Sequence, residues 1–425
     1  MKLFKQSTSS PYFLFMMFLI SLLNYLDRQV LSIVQEDVKA DLLLTDSQLG
    51  RLALVFGLMH ALFAIPIGRV ADRKPRKNIL AACLVVWSGF TALCGAVGNY
   101  FLLLLARMGV GLGEAGVTPT SYSLVSDKFP LNRRATALAV LGLGIPIGSM
   151  LSLIIGGALT ESIGWRMTFV VFGIPGFILA LIFMLTVQAP VRGGADKIVK
   201  TKQSKLGETF RYLFTSRSFL LVFFGATLNA MMGYSMLSWM PSFYIREFNL
   251  TPGEVGLTYG LVLGGVGLVS ILSSAYLADT LGKKDVRWYS WIMGISILLS
   301  TPLTYLALTG TTFYSSLAFF ALGTFFAQAT LAITNALIQS TAPVQMRGVA
   351  SAIKTTGLSF LGYGLGGYII GILSDYFATD NPGEGLKQAL IYGLVFFAIS
   401  GILFLLSATN LKKDIEEAIV YSEAG

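Results

Sequence analysis

The sequence predicts an all-α membrane protein of twelve transmembrane helices, arranged as two pseudo-symmetric six-helix bundles. Three observations predict it. Only 12% of the 425 residues are charged and 54% are hydrophobic, whereas soluble domains carry about 25% charged residues. Twelve apolar segments each reach the roughly 20 residues needed to cross the hydrocarbon core. The chain also repeats itself. Ala71-Asp72-Arg73-Lys74-Pro75-Arg76-Lys77 after the second segment returns as Ala278-Asp279-Thr280-Leu281-Gly282-Lys283-Lys284 after the eighth. Pro130 with Arg134-Ala135-Thr136-Ala137 returns as Pro343 with Arg347-Gly348-Val349-Ala350, at nearly the same offset. An even number of spans per half makes the repeat parallel, about an axis along the membrane normal.

The first six spans cover approximately 11–34, 48–70, 77–98, 100–126, 135–160 and 165–188, and form an N-terminal bundle over residues 1–188. The last six cover approximately 218–245, 253–278, 287–309, 312–340, 347–376 and 386–409, and form a C-terminal bundle over residues 218–409. Residues 189–217 read as a basic cytoplasmic linker and 410–425 as a cytoplasmic tail. Within the linker, Leu206 to Phe214 reads as a short amphipathic helix on the inner membrane surface. The first apolar run is too long for a signal peptide and lacks a small-residue cleavage pattern, so it is the first span. Lys and Arg gather in the even-numbered connections, and the positive-inside rule then puts both termini in the cytoplasm. The short loops point to a bacterial inner membrane.

Composition also excludes. The net charge of +9 lies in short clusters between apolar runs, a loop pattern rather than a nucleic-acid surface. Cys83 and Cys94 share one span about 16 Å apart along a helix, too far to pair with each other. With a single histidine and no Cys/His cluster, a zinc or haem site lacks ligands. No nucleophile–base set is apparent, so no enzyme is expected and no cofactor; a proton gradient is the expected driving force. The expected partners are a small-molecule or lipid substrate and the membrane lipids, with the protein a monomer. A non-transporting receptor is the rival from another class; it would usually add a soluble domain, for which the tail is too short.

Charge inside a span is costly and faces a cavity or a partner. Asn24-Tyr25-Leu26-Asp27-Arg28-Gln29 stands in span one, and Arg107-Met108-Gly109-Val110-Gly111-Leu112-Gly113-Glu114-Ala115-Gly116 in span four. Arg107 and Glu114 are two turns apart and share a helix side. By depth, Asp27 and Arg28 reach Arg107 or Glu114 across a helix interface; which pairs form is open. Asp27 and Glu114 are the expected proton carriers, with Arg28 and Arg107 as charge-switch partners. Small-residue stripes at Gly109, Gly113 and Gly116, and at Gly144, Gly148, Ser152 and Gly156, allow close helix packing. Pro146 breaks a backbone bond and permits bending in span five. Span eleven is similarly glycine-rich between Gly357 and Gly371.

Gly68-Arg69-Val70-Ala71-Asp72-Arg73-Lys74-Pro75-Arg76-Lys77 resembles the major facilitator signature between helices two and three, G-x-x-x-D-R-x-G-R-K, with Pro75 in place of the glycine. The resemblance implies a cytoplasmic gate involving Gly68, Asp72, Arg73 and Arg76, its second copy at Asp279, and the loop arginines Arg134 and Arg347. Arg107 to Gly113 resembles the facilitator pattern R-x-x-x-G-x-G. Asn24 to Arg28 with Gly113-Glu114-Ala115 is similar to spinster-like transporters and to organic-anion symporters of the hexuronate type. Ser126 to Pro130, Gly144 to Gly148 and Gly164-Trp165-Arg166 look more like bacterial spinster proteins. That resemblance implies a proton-coupled, alternating-access carrier of an amphiphile or lipid-like molecule with a charged head, such as a lysophospholipid or sphingolipid. The alternative is a proton-coupled symporter of a small organic anion such as a sugar acid. Lys354 in span eleven is either a snorkelling cation or a cation for an anionic headgroup. Gln328 and Asn335 of span ten, His60 of span two and Tyr234 of span seven are further candidates for a substrate cavity.

Overall fold

The structure, a computed structural model, describes residues 9–191, 206–379 and 381–424. Helices dominate because a backbone in hydrocarbon must satisfy its own hydrogen bonds, and an α-helix does so within one segment. Among the described residues there is no strand, and eleven helices are long and apolar enough to cross a membrane. One of the eleven, Thr136–Thr186, holds two crossings. Gly164 inside it has φ 79° and ψ 161°, which is not helical. Only a residue without a Cβ adopts that conformation freely, so Gly164 is the turn between spans five and six. Counted that way, twelve spans are present among the described residues.

The helix ends are written into the sequence. Span two, Asp46–Arg73, begins with a capping box in which Gln48 N donates to Thr45 Oγ1 and Thr45 N to Gln48 Oε1. Asn99, Ser216, Thr312 and Asn381 cap the starts of spans four, seven, ten and twelve with their side-chain oxygens. Each satisfies an amide that the first turn leaves open, worth about 1 kcal/mol.

Four spans depart from a continuous helix; span ten does so at Ala329, between Phe313–Gln328 and Thr330–Ser340. Span four is Tyr100–Glu114 followed by Val117–Lys128. Pro119 has no N–H for the carbonyl of Ala115, and the helix loosens there. Glu114 is therefore the last residue of its segment. Span five is interrupted at Leu143, between Leu131–Gly142 and Gly144–Thr186, where Pro146 removes a donor. Span eleven runs as Arg347–Gly357, a π-helix at Leu358–Leu365, and Gly366–Tyr376. Its glycines explain the π turn. A Cβ at Gly357 would meet the Phe223 ring at 2.7 Å, one at Gly362 Ala230 Cβ at 2.8 Å, and one at Gly366 the Met231 carbonyl at 2.4 Å. All three press on span seven, Arg217–Phe248. They are spaced by five and then four residues. A five-residue step stays on one face only where bonding runs i→i+5.

The chain forms two compact units, Met1–Val199 with Leu250–Gly260, and Lys200–Asn249 with Leu261–Gly425. In the first, spans one and five pack so closely that a Cβ at Gly148 would meet the Leu22 carbonyl at 2.5 Å. Ser152 Oγ, one turn on, donates to the Leu26 carbonyl at 2.7 Å. Spans three and four meet where a Cβ at Gly113 would touch Trp87 N at 2.5 Å. These small-residue contacts bring residues 24–29, 87 and 107–114 together. Of the expected linker 189–217, residues 192–205 lie outside the described residues, and Leu206–Thr215 is helical.

In the second unit the tail is a docked helix, Leu411–Ala424. The Asp414 carboxylate accepts from Ser218 N at 2.7 Å and Ser216 Oγ at 3.0 Å, at the start of span seven. Tyr421 Oη donates to Glu208 of the linker helix, and its ring lies 5.1 Å from that of Tyr212. Lys412 Nζ lies 3.4 Å from Asp285, in the loop after span eight. Ser422 Oγ accepts from Val344 N at 3.1 Å, in the loop before span eleven. The tail therefore touches three interspan connections at once.

Candidate functional site

The first unit contains a buried charge cluster. Arg28 Nη2 donates to Glu114 Oε2 at 2.6 Å and Nε to the same oxygen at 2.9 Å. Glu114 is fully buried and Arg28 is 9% exposed, so this ion pair is sealed from water. Asp27, 1% exposed, accepts from Trp87 Nε1 of span three at 3.0 Å. Arg107 is fully buried, and its three guanidinium nitrogens find no hydrogen-bond partner among the described residues. Its guanidinium carbon lies 5.2 Å from the centre of the Phe56 ring, and that of Arg28 lies 5.2 Å from the same centre. Phe56 of span two thus carries two cations on its π cloud. Such a contact is worth about 2 kcal/mol when desolvated.

Of the four charges, Arg28 pairs with Glu114, the pairing left open, while Asp27 bonds Trp87 and Arg107 lies over Phe56. Sequence reading missed Trp87 and Phe56. Trp87 had a signal, since a buried indole N–H needs an acceptor and Asp27 is an acid in the same apolar region. Phe56 had none, being one phenylalanine among 30. His60 is 5% exposed, one turn from Phe56, with its ring 6.1 Å from that residue's. It belongs to the interior of the first unit. Its Nδ1 has no hydrogen-bond partner among the described residues.

The other candidates are dispersed. Lys354 Nζ donates to Asn335 Oδ1, joining spans eleven and ten. Gln328 is turned to span eight, Pro252–Gly282, where a Cβ at Gly267 would meet its Nε2 at 2.9 Å. Tyr234 packs edge-on against Tyr363 of the π segment with centroids 5.3 Å apart. At the loops, Arg76 pairs with Asp127. Arg134 Nη2 donates to the Ser126 and Phe129 carbonyls at 2.9 and 3.3 Å, at the end of span four. Arg73 is exposed, and the Asp72 side chain lies outside the described residues. Gly68 faces Pro119, 3.7 Å from where its Cβ would be. Asp279 accepts from Tyr289 Oη at 3.3 Å, and Arg347 Nε donates to the Gln339 carbonyl at 3.0 Å.

A sequence model of the Major Facilitator Superfamily matches residues 17–359. The chain belongs to the major facilitator superfamily. It is 34% identical over 401 residues to an MFS-type efflux pump of Mycolicibacterium smegmatis, covering 94% of this chain and 92% of that one. It is 28% identical to a probable galactarate/D-glucarate transporter of Bacillus subtilis, covering 83% of each. Among solved structures, it matches a bacterial homologue of the human lysosomal transporter spinster, in an inward-facing and unoccupied conformation. That match has a TM-score of 0.88 and 27% identity, and covers 96% of this chain and 99% of that one. As a major facilitator protein with a spinster-like likeness, the chain is a transporter and not an enzyme.

Proposed function

We propose that this protein is a proton-coupled secondary transporter that works by alternating access and carries an amphiphile with a charged head. It acts as a monomer in a bacterial inner membrane, with both termini cytoplasmic. The observation that carries the reading is the buried Arg28–Glu114 pair beside Arg107, whose nitrogens have no hydrogen-bond partner among the described residues. Protonating Glu114 replaces a charge pair by a neutral acid next to two arginines. An uncompensated buried charge costs about 3–5 kcal/mol, and a conformation that gives Arg28 a new partner or water recovers it. A proton can shift the equilibrium only by such a difference between states. Asp27, held by Trp87 in the same interior, is the second acid.

The test is transport in proteoliposomes under an imposed pH gradient. Glu114→Gln and Asp27→Asn are expected to abolish gradient-driven accumulation while leaving exchange of labelled solute across the membrane. Full gradient-driven transport by Glu114→Gln refutes the coupling. A second reading, symport of a small organic anion, is favoured by the likeness to the galactarate/D-glucarate transporter. Accumulation of a sugar acid, with no response to any lysolipid or sphingoid base, decides for it.

A further inference from the structure

The second unit holds an isolated cation. Its other span residues with charge stand at or near helix ends, whereas Lys354 lies two turns into span eleven, about 10 Å along the axis from Arg347. Lys387, the next deepest, is paired with Glu247 at 2.8 Å. Lys354 has no carboxylate within ion-pair distance among the described residues. A charge at membrane depth is retained against a cost of a few kcal/mol.

Its surroundings fit a ligand anion. An ammonium has three donors, and Asn335 Oδ1 takes one of them. The Asn335 amide nitrogen donates to the Leu331 carbonyl at 3.2 Å, which turns the oxygen toward Lys354. Asn335 is exposed and Lys354 half-buried, so the remaining donors are open to a ligand. Three residues on, Gly357 lets the Phe223 ring lie directly on span eleven. Phe223 meets Phe224 edge-on at 5.3 Å, and Phe224 is 47% exposed. A cation with an amide beside it, and an aromatic shelf one turn away, suit an anionic group attached to an apolar body.

We propose that Lys354 and Asn335 form the docking point for the anionic group, carboxylate or phosphate, of the transported molecule. The proposal rests on the transporter reading above and adds the residue that selects charge. The test uses the full-length protein in detergent, with binding read by thermal shift, and the same protein in proteoliposomes. Four probes separate the sources of the anion: lysophosphatidylglycerol, zwitterionic lysophosphatidylcholine, uncharged monoacylglycerol and galactarate. At least one of the two anionic probes is expected to bind the unsubstituted protein. Lys354→Met is expected to weaken that probe about tenfold or more, the scale of a hydrogen bond to a charged group. Lys354→Arg retains most of the affinity, Asn335→Ala loses part of it, and monoacylglycerol is unaffected by any of them. Binding of lysophosphatidylglycerol alone makes the source a lipid headgroup; binding of galactarate alone makes it a free organic anion. Removing the cation from an apolar region does not threaten folding, so loss of affinity is not loss of fold. The site is overturned if neither anionic probe binds, if Lys354→Met leaves anion affinity intact, or if it weakens monoacylglycerol equally. Charge-selective binding without gradient-driven accumulation refutes the coupled-transport reading and leaves the site standing.

Discussion

Replacing Glu114 by methionine removes the acid from a site where Arg28 is 9% exposed, Arg107 is fully buried, and the Arg28 contacts measure 2.6 and 2.9 Å. Both arginines are then left without a hydrogen-bonded carboxylate. Breaking one partner out of a buried pair costs about 3–5 kcal/mol. For a unit of this size that lowers the melting temperature by roughly 2–4 °C per kcal/mol, so about 6–20 °C. Arg28→Met strands Glu114 and is expected to cost a similar amount. The double variant Arg28→Met/Glu114→Met has neither charge, and apolar replacement of a buried pair is often neutral or stabilising. It is expected to melt within a few degrees of the unsubstituted protein. The assay is thermal unfolding in one detergent, run as a double-mutant cycle with a coupling of about 3 kcal/mol or more. Additive losses refute the reasoning: they mean that Arg28 and Glu114 do not depend on each other, whatever their separation.

Gly148→Leu is expected to destabilise by about 1–3 kcal/mol, because a Cβ there already meets the Leu22 carbonyl at 2.5 Å. Gly98→Ala, with nothing within 4 Å of its Cβ, is the control and should melt unchanged. Trp87→Phe takes the indole donor from Asp27 and is expected to cost about 1–3 kcal/mol, read by the same melt. Asp414→Ala uncaps Ser218 N at about 1–2 kcal/mol, and should speed amide exchange in 206–219 and 411–424 while the first unit stays protected. At Asp285, hydrogen bonds from Arg287 hold the carboxyl below its usual value of 3.8. Its folded-state pKa is thus depressed, so its tie to Lys412 is present at neutral pH, survives below pH 4, and is lost only as pH falls through the depressed folded-state value. Tail-helix exchange should rise in that window, and Asp285→Asn should remove the pH step.

The spans were legible because apolar length is a crude signal that packing does not override. The turn at Gly164 was legible as a boundary, although the helix on either side runs into it. The charge cluster was legible as residues but not as pairs. Arg28 and Glu114 stand 86 residues apart, and depth along two helices fixes height, not rotation. The loosening after Glu114 had a signal in Pro119 that an apolar-run reading passes over. The dispersal of Gln328 from Asn335 had none, because a pattern on one helix does not say which neighbour each face meets. The docked tail was invisible for the same reason: its partners come from three separate loops.

The π turn of span eleven makes this helix one residue richer than its ends require. Remove a residue from 358–361 and Gly357, Gly362 and Gly366 would be spaced four and four, and a plain α-helix would carry all three to span seven. The surplus sits between Lys354 on one side and the Tyr363–Tyr234 contact on the other. The π turn takes up that surplus, so the residues on either side of it keep their faces toward span seven. A deletion there would leave the helix intact, the seam with span seven closed, and Lys354 and Tyr363 in the phase they now have, one rise closer along the axis. In this span, length is a property separate from phase.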